Sequence, residues 1–155
     1  MNRRLVPALA LLLGVLVSLP AAQAADAVVI IVNKSNKIDN LTSKMVRQIF
    51  SGQTTKWPDG LPVQTMASSP DTPEHTIAIS FLFGMTEVQY KKYLQDTGGA
   101  AEPHNAGSPQ AVVNLVGLLP GAVSFARQSL VTPSVKVLKI DGLSPGSPGY
   151  PLVAK

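Results

Sequence analysis

Cysteine is absent from this sequence. Any disulfide is thereby excluded, so in an oxidising compartment the fold must be held by its core. A thiol nucleophile and a lipid-bearing processed cysteine are excluded as well. Histidine is nearly as scarce. His75 and His104 lie far apart, and neither stands at metal-ligand spacing with a carboxylate. Glu74 and Asp71 beside His75 read as the acidic start of a helix, not as a metal site. No Walker A loop and no GxGxxG turn occur. Gly142 to Gly146 carries the letters of a GxSxG elbow without its strand–turn–helix context. The expectation is a protein without catalytic machinery, metal or cofactor.

Long apolar runs are also few, and the longest sits at the N-terminus. Arg3 and Arg4 precede an apolar run of 15 residues, Leu5 to Leu19, and Ala22-Gln23-Ala24 follows. These are the three parts of a cleavable secretory signal peptide. The run is short against the roughly 20 residues that span a bilayer, and Pro20 breaks it. The sequence therefore predicts export, with cleavage after Ala24 and release of a periplasmic protein that is neither a lipoprotein nor inserted in the membrane. Of the 13 Lys and Arg, two leave with the leader, so 11 remain against 9 acids, a mature charge of +2. Nucleic acid is a poor partner for such a chain, because phosphate-backbone binding needs a dense basic face.

The remaining 131 of 155 residues suffice for one domain with a real core, read here as residues 25–155. Val28 to Val32 is a continuous β-branched run, which suits a central strand covered on both faces. Leu41, Met45, Ile49 and Phe50 recur at helical spacing, with Thr42 or Ser43 as N-cap and Gly52 at the left-handed end. A turn around Trp57, Pro58 and Gly60 leads into a strand from Pro62 to Ala67. Thr72 with Pro73 opens a second helix that Gly84 ends. Thr86 and Gln89 have capping-box spacing and open a third, and Ser108-Pro109 starts a fourth. Ala122 to Ala126 reads as a short strand. Val135 to Ile140 reads as a strand with one solvated face, and residues 141–155 as an extended strap. Strands separated by helices predict an α/β domain with a mainly parallel sheet.

The candidate site is the loop Ala67 to Thr72. In open α/β sheets, ligands collect at the carboxyl ends of strands. This loop also feeds a helix N-terminus, whose free amides and partial positive charge attract anions. Ser68, Ser69 and Thr72 add hydroxyl donors there. A competing reading stands beside this one: Ser and Thr are ordinary turn and cap residues, and Asp71 and Glu74 can themselves satisfy the helix start. Trp57 likewise has two readings, a docking feature or the cover of a core edge.

The stretch from Gln48 to Gly60, with its Ile-Phe-Ser-Gly helix end and Trp-Pro-Asp-Gly turn, resembles the phosphate-type periplasmic solute-binding family. Asn33 to Leu41 is similar to that family's entry into the helix. Leu118 to Phe125 is similar to its Pro-Gly-Ala strand, and Asp141-Gly142 with Tyr150 to Leu152 to its closing segment. The resemblance implies a single lobe of the type 2 periplasmic-binding-protein fold, a mainly parallel sheet flanked by helices. It also implies binding of phosphate or a related oxyanion for ABC-type uptake, through Ser68, Ser69, Asp71 and Thr72. The implied partners are an ABC permease or a second copy of the chain. Two departures accompany it. The family's two-lobed members clamp their ligand between lobes, and a first lobe has no counterpart here. Their ligand loop reads Arg-x-Asp-Gly-Ser-Gly-Thr, and Ala67 takes the arginine's place, so no bidentate cation is expected. The alternative is a periplasmic interaction or adaptor protein that keeps the fold without the ligand, docking through the Trp57 turn and the 141–155 strap.

Overall fold

Val28 to Asn33 form β1, and every residue of it is buried. Its side chains divide by parity: Val28, Ile30 and Val32 enter one apolar cluster, while Val29 and Ile31 enter another on the opposite face. A strand with two covered faces has no solvated side to carry polar residues, which is why the run is continuous. In this computed structural model, residues 26–99 and 102–153 are described. The leader and its cleavage point after Ala24 lie outside them.

The other strands are β2 (Asn40–Leu41), β3 (Gln64–Ala67), β4 (His104–Asn105), β5 (Ala122–Arg127) and β6 (Val135–Ile140). They join β1 in one sheet of order β2-β6-β1-β5-β3-β4. The pairs β2–β6, β3–β4 and β3–β5 are parallel, and β1 is antiparallel to both its neighbours, β5 and β6. Five strands thus share a direction and β1 opposes them. The sheet is mostly parallel, as expected, and flanked by helices.

Four α-helices are described, α1 (Ser43–Phe50), α2 (Pro73–Phe83), α3 (Glu87–Asp96) and α4 (Pro109–Leu118), of which α1, α2 and α4 pack on the sheet and α3 on α2. The first cluster takes Val46, Ile49 and Phe50 of α1 and Ala78 and Leu82 of α2, together with Trp57, Tyr150 and Leu152. On the other face α4 supplies Val112, Val113 and Val116. Residues 141–153 of the strap therefore close the first layer with two buried side chains, Tyr150 and Leu152. Burial also pushes the Tyr150 phenol up to about 12.

One expectation needs correction here. β6 does not keep one solvated face. Val135 and Val137 pack into the α4 layer, while Leu138 and Ile140 pack into the opposite one. The apolar phase shifts within the strand, between Val137 and Leu138, and so serves both layers.

Helix starts follow local chemistry. Thr42 Oγ1 accepts the Met45 amide at 3.2 Å in α1, and Ser108 Oγ accepts the Ala111 amide at 3.2 Å in α4. Thr86 and Gln89 form a reciprocal capping box at α3. At α2, Pro73 occupies the first turn and Gly84 ends the helix in the left-handed region with φ 65°, where glycine carries no steric cost.

Candidate functional site

The carboxyl ends of β3, β4 and β5 point the same way because these three strands are mutually parallel. Three segments leave the sheet at that edge: the loop after Ala67, the loop after Asn105, and Arg127 at the end of β5. The first two are stitched together. The Ala106 amide donates to the Ala67 carbonyl at 2.9 Å, and the Gly107 carbonyl accepts both the Ser69 amide at 2.8 Å and the Ser69 hydroxyl at 3.0 Å.

Of the residues expected at the site, Ser68, Ser69 and Thr72 are brought together. Ser68 is buried, and its hydroxyl lies 2.7 Å from that of Thr72. The Thr72 hydroxyl in turn donates to the Ser69 carbonyl at 2.8 Å. Asp71 lies apart from this cluster. It is exposed and borders a groove of about 700 Å³ between α1, α2 and the strap, shared with Arg47, Pro73, Phe81 and Pro151. In that groove the Arg47 guanidinium stands over the Phe81 ring, 5.2 Å from its centroid.

Thr72 precedes α2 with extended backbone, yet its side chain makes no cap hydrogen bond. Its hydroxyl is turned into the loop instead. The first-turn amides of Glu74 and His75, which no helix can satisfy internally, are left without a side-chain acceptor. In α1, α3 and α4 that acceptor is Thr42, Thr86 and Ser108.

Beneath this turn sits a cavity of about 30 Å³ lined by Ser68, Glu74, His75, Tyr90, Ser124 and apolar neighbours. It has room for about one water molecule, far less than a phosphate requires. Glu74 is 1 % exposed, and neither carboxylate oxygen makes a hydrogen bond. Arg127 approaches it, with Nε 3.4 Å from a Glu74 oxygen. His75 Nε2 stands 3.2 Å from Glu87 and so links α2 to α3. Tyr90 is pushed up to about 12, mainly by burial and then by the charges of Glu102 and Glu87. The Ser68 hydroxyl bonds Thr72, and the His75 imidazole faces Glu87, so no serine–histidine pair is assembled. Among the described residues no group of three or more metal-ligating side chains occurs.

Sequence reasoning missed Arg127. Its signal was a cation closing a strand whose other polar residue is Ser124, but only the parallel pairing of β5 with β3 carries it to the loop's edge.

This sheet, with its opposed central strand and its loop-to-helix edge, is the fold of periplasmic binding proteins. Residues 22–81 match the family model of the PBP superfamily domain. A 36-residue stretch, 23 % of this chain, is 47 % identical to phosphate-binding protein PstS 2 of Streptococcus agalactiae and covers 12 % of that protein. Among solved structures, an ABC-type phosphate transport receptor from Vibrio cholerae superposes with a TM-score of 0.64 at 21 % identity, over 77 % of this chain and 48 % of that one. A phosphate ABC transporter substrate-binding protein from Clostridium perfringens, solved with bound phosphate, gives 0.65 at 18 % identity over 77 % and 46 %. PstS of Borrelia burgdorferi gives 0.63 at 15 % over 82 % and 54 %. The chain spans about half the length of these solved proteins. These matches show a fold shared with phosphate-binding and phosphate-transport proteins.

Proposed function

We propose that this chain is an exported, single-lobe solute-binding protein that takes phosphate or a related oxyanion at the N-terminus of α2. The observation that carries the reading is the uncapped first turn of α2, the only one of the four described α-helices whose N-cap side chain makes no cap bond. It stands at the carboxyl ends of parallel strands, where such sheets bind ligands. The amides of Glu74 and His75 would meet the anion, with hydroxyls from Ser68, Ser69 and Thr72 beside them and Asp71 at the margin. Binding would be non-covalent, and the protein non-enzymatic. Residues 25–155 would act as one domain in the periplasm after cleavage following Ala24. A second copy or an ABC permease would be its partner. No described helix is long and apolar enough to cross a membrane.

A ligand that binds only the folded state raises the melting temperature. The test is a thermal-shift panel on the processed protein with millimolar phosphate, sulfate, arsenate and molybdate. A rise with one or more oxyanions is expected, and no shift with any of them rejects the binding reading. One observation favours an adaptor without ligand: the Ser68 and Thr72 hydroxyls already bond each other. A pull-down from the envelope fraction separates the two, since a receptor should recover a permease.

A further inference from the structure

Glu74 is a buried carboxylate with no hydrogen bond, and that is an unfavourable state. Its neighbouring cation, Arg127, approaches at 3.4 Å through Nε without hydrogen-bond geometry. Arg127 is only partly buried: 38 % of its side chain reaches solvent. The guanidinium therefore meets the buried acid through Nε while part of the side chain stays open to solvent. It sits at the edge where the Ser68–Thr72 loop leaves β3 and where α2 begins.

We infer that Arg127 is the cationic binding residue of the oxyanion site and that Glu74 competes with the ligand for it. This rests on the oxyanion reading and adds its charge logic. A planar guanidinium presents paired donors to an oxyanion. Glu74 weakens that attraction in two ways: its charge offsets that of the guanidinium, and it places a like charge close to the bound anion. Neutralising Glu74 without changing its shape releases both restraints. The parent protein then has a built-in ceiling on affinity, set by its own carboxylate.

The experiment compares the processed protein with Glu74→Gln, Arg127→Gln, Arg127→Lys and the double variant Glu74→Gln/Arg127→Gln. Phosphate and sulfate binding is read by titration calorimetry, with circular dichroism and melting temperature as folding checks. Glu74→Gln is expected to tighten binding about tenfold. Arg127→Gln abolishes it in both backgrounds, and Arg127→Lys keeps a weakened part, which a purely structural role would not predict. Binding by the parent that neither Glu74→Gln nor Arg127→Gln alters overturns this inference and leaves the oxyanion reading standing. Absence of binding in every folded variant, Glu74→Gln included, overturns both.

Discussion

The Trp57 indole donates its Nε1 hydrogen to the Gly121 carbonyl at 3.0 Å, joining two turns that lie 64 positions apart in the chain. Trp57 is 4 % exposed and belongs to the core cluster shared by α1 and α2. Of its two sequence readings, cover of a core edge is the one observed, and the ring is not presented for docking. Gly121 is needed for the same junction, since a Cβ there would lie 2.0 Å from the Pro62 carbonyl oxygen. Trp57→Ala should cost about 3–5 kcal/mol. Trp57→Phe should cost about 1 kcal/mol, because it removes one of two hydrogen bonds to the Gly121 carbonyl, which keeps the Gln64 amide at 3.0 Å. Gly121→Ala should be destabilising by about 1–3 kcal/mol or more, because backbone, not a flexible side chain, stands in the way. Urea denaturation of the three variants checks these values.

Asp141 pins the start of α1 from across the chain. Its carboxylate accepts the Ser43 amide at 2.9 Å and the Ser43 hydroxyl. These bonds hold its carboxyl below the ordinary 3.8, with the Arg47 charge adding a little. A lowered folded-state value means that the stabilisation is complete above the unfolded value and is lost as pH falls through the lowered one. Melting temperature should therefore fall more steeply between pH 5 and pH 3, the range set by these ordinary carboxyl values, in the parent than in Asp141→Asn. Asparagine also tolerates the left-handed φ of 51° at this position. Equal slopes for the two proteins would remove Asp141 from the acid response.

Thr86 and Thr72 occupy the same position before their helices but do different work. Thr86 caps α3 in a reciprocal box, so Thr86→Ala should cost about 1 kcal/mol and leave oxyanion binding unchanged. Thr72 lends its hydroxyl to Ser68 and the Ser69 carbonyl. Thr72→Ala should accordingly loosen the loop and weaken phosphate binding. Parallel thermal melts and titrations separate stability from binding in the two variants.

Glu74 and Arg127 should also respond unequally in stability. Removing the cation beside the acid strands a buried charge, which is typically more harmful than neutralising the acid itself. Arg127→Gln should lower the melting temperature more than Glu74→Gln does, when both are measured without added anion. The reverse order would mean that the carboxylate is held by other groups.

Much of this fold was legible from residue pattern. β1 announced itself because burial on both faces removes every polar position from Val28 to Val32. The starts of α2, α3 and α4 were legible because Pro73, the Thr86–Gln89 pair and Ser108-Pro109 act through local backbone chemistry. β2 and β4 were not, since two-residue strands such as Asn40–Leu41 and His104–Asn105 are too short to carry a period. The opposed direction of β1 was hidden for a related reason: a continuous apolar run reports burial and says nothing of strand polarity. In the candidate site, Ser68, Ser69 and Thr72 were visible as a cluster because they are close in sequence. The bonds from Ser69 to the Gly107 carbonyl and the approach of Arg127 to Glu74 depend on contacts between distant segments, which no local pattern encodes.

The oxyanion reading is tested most directly by calorimetric titration of the processed protein with inorganic phosphate, free of any partner. Saturable heat at one anion per chain, reduced in Thr72→Ala and lost in Arg127→Gln, is the expected result. No saturable binding of phosphate to the folded parent or to the folded Glu74→Gln variant would contradict it.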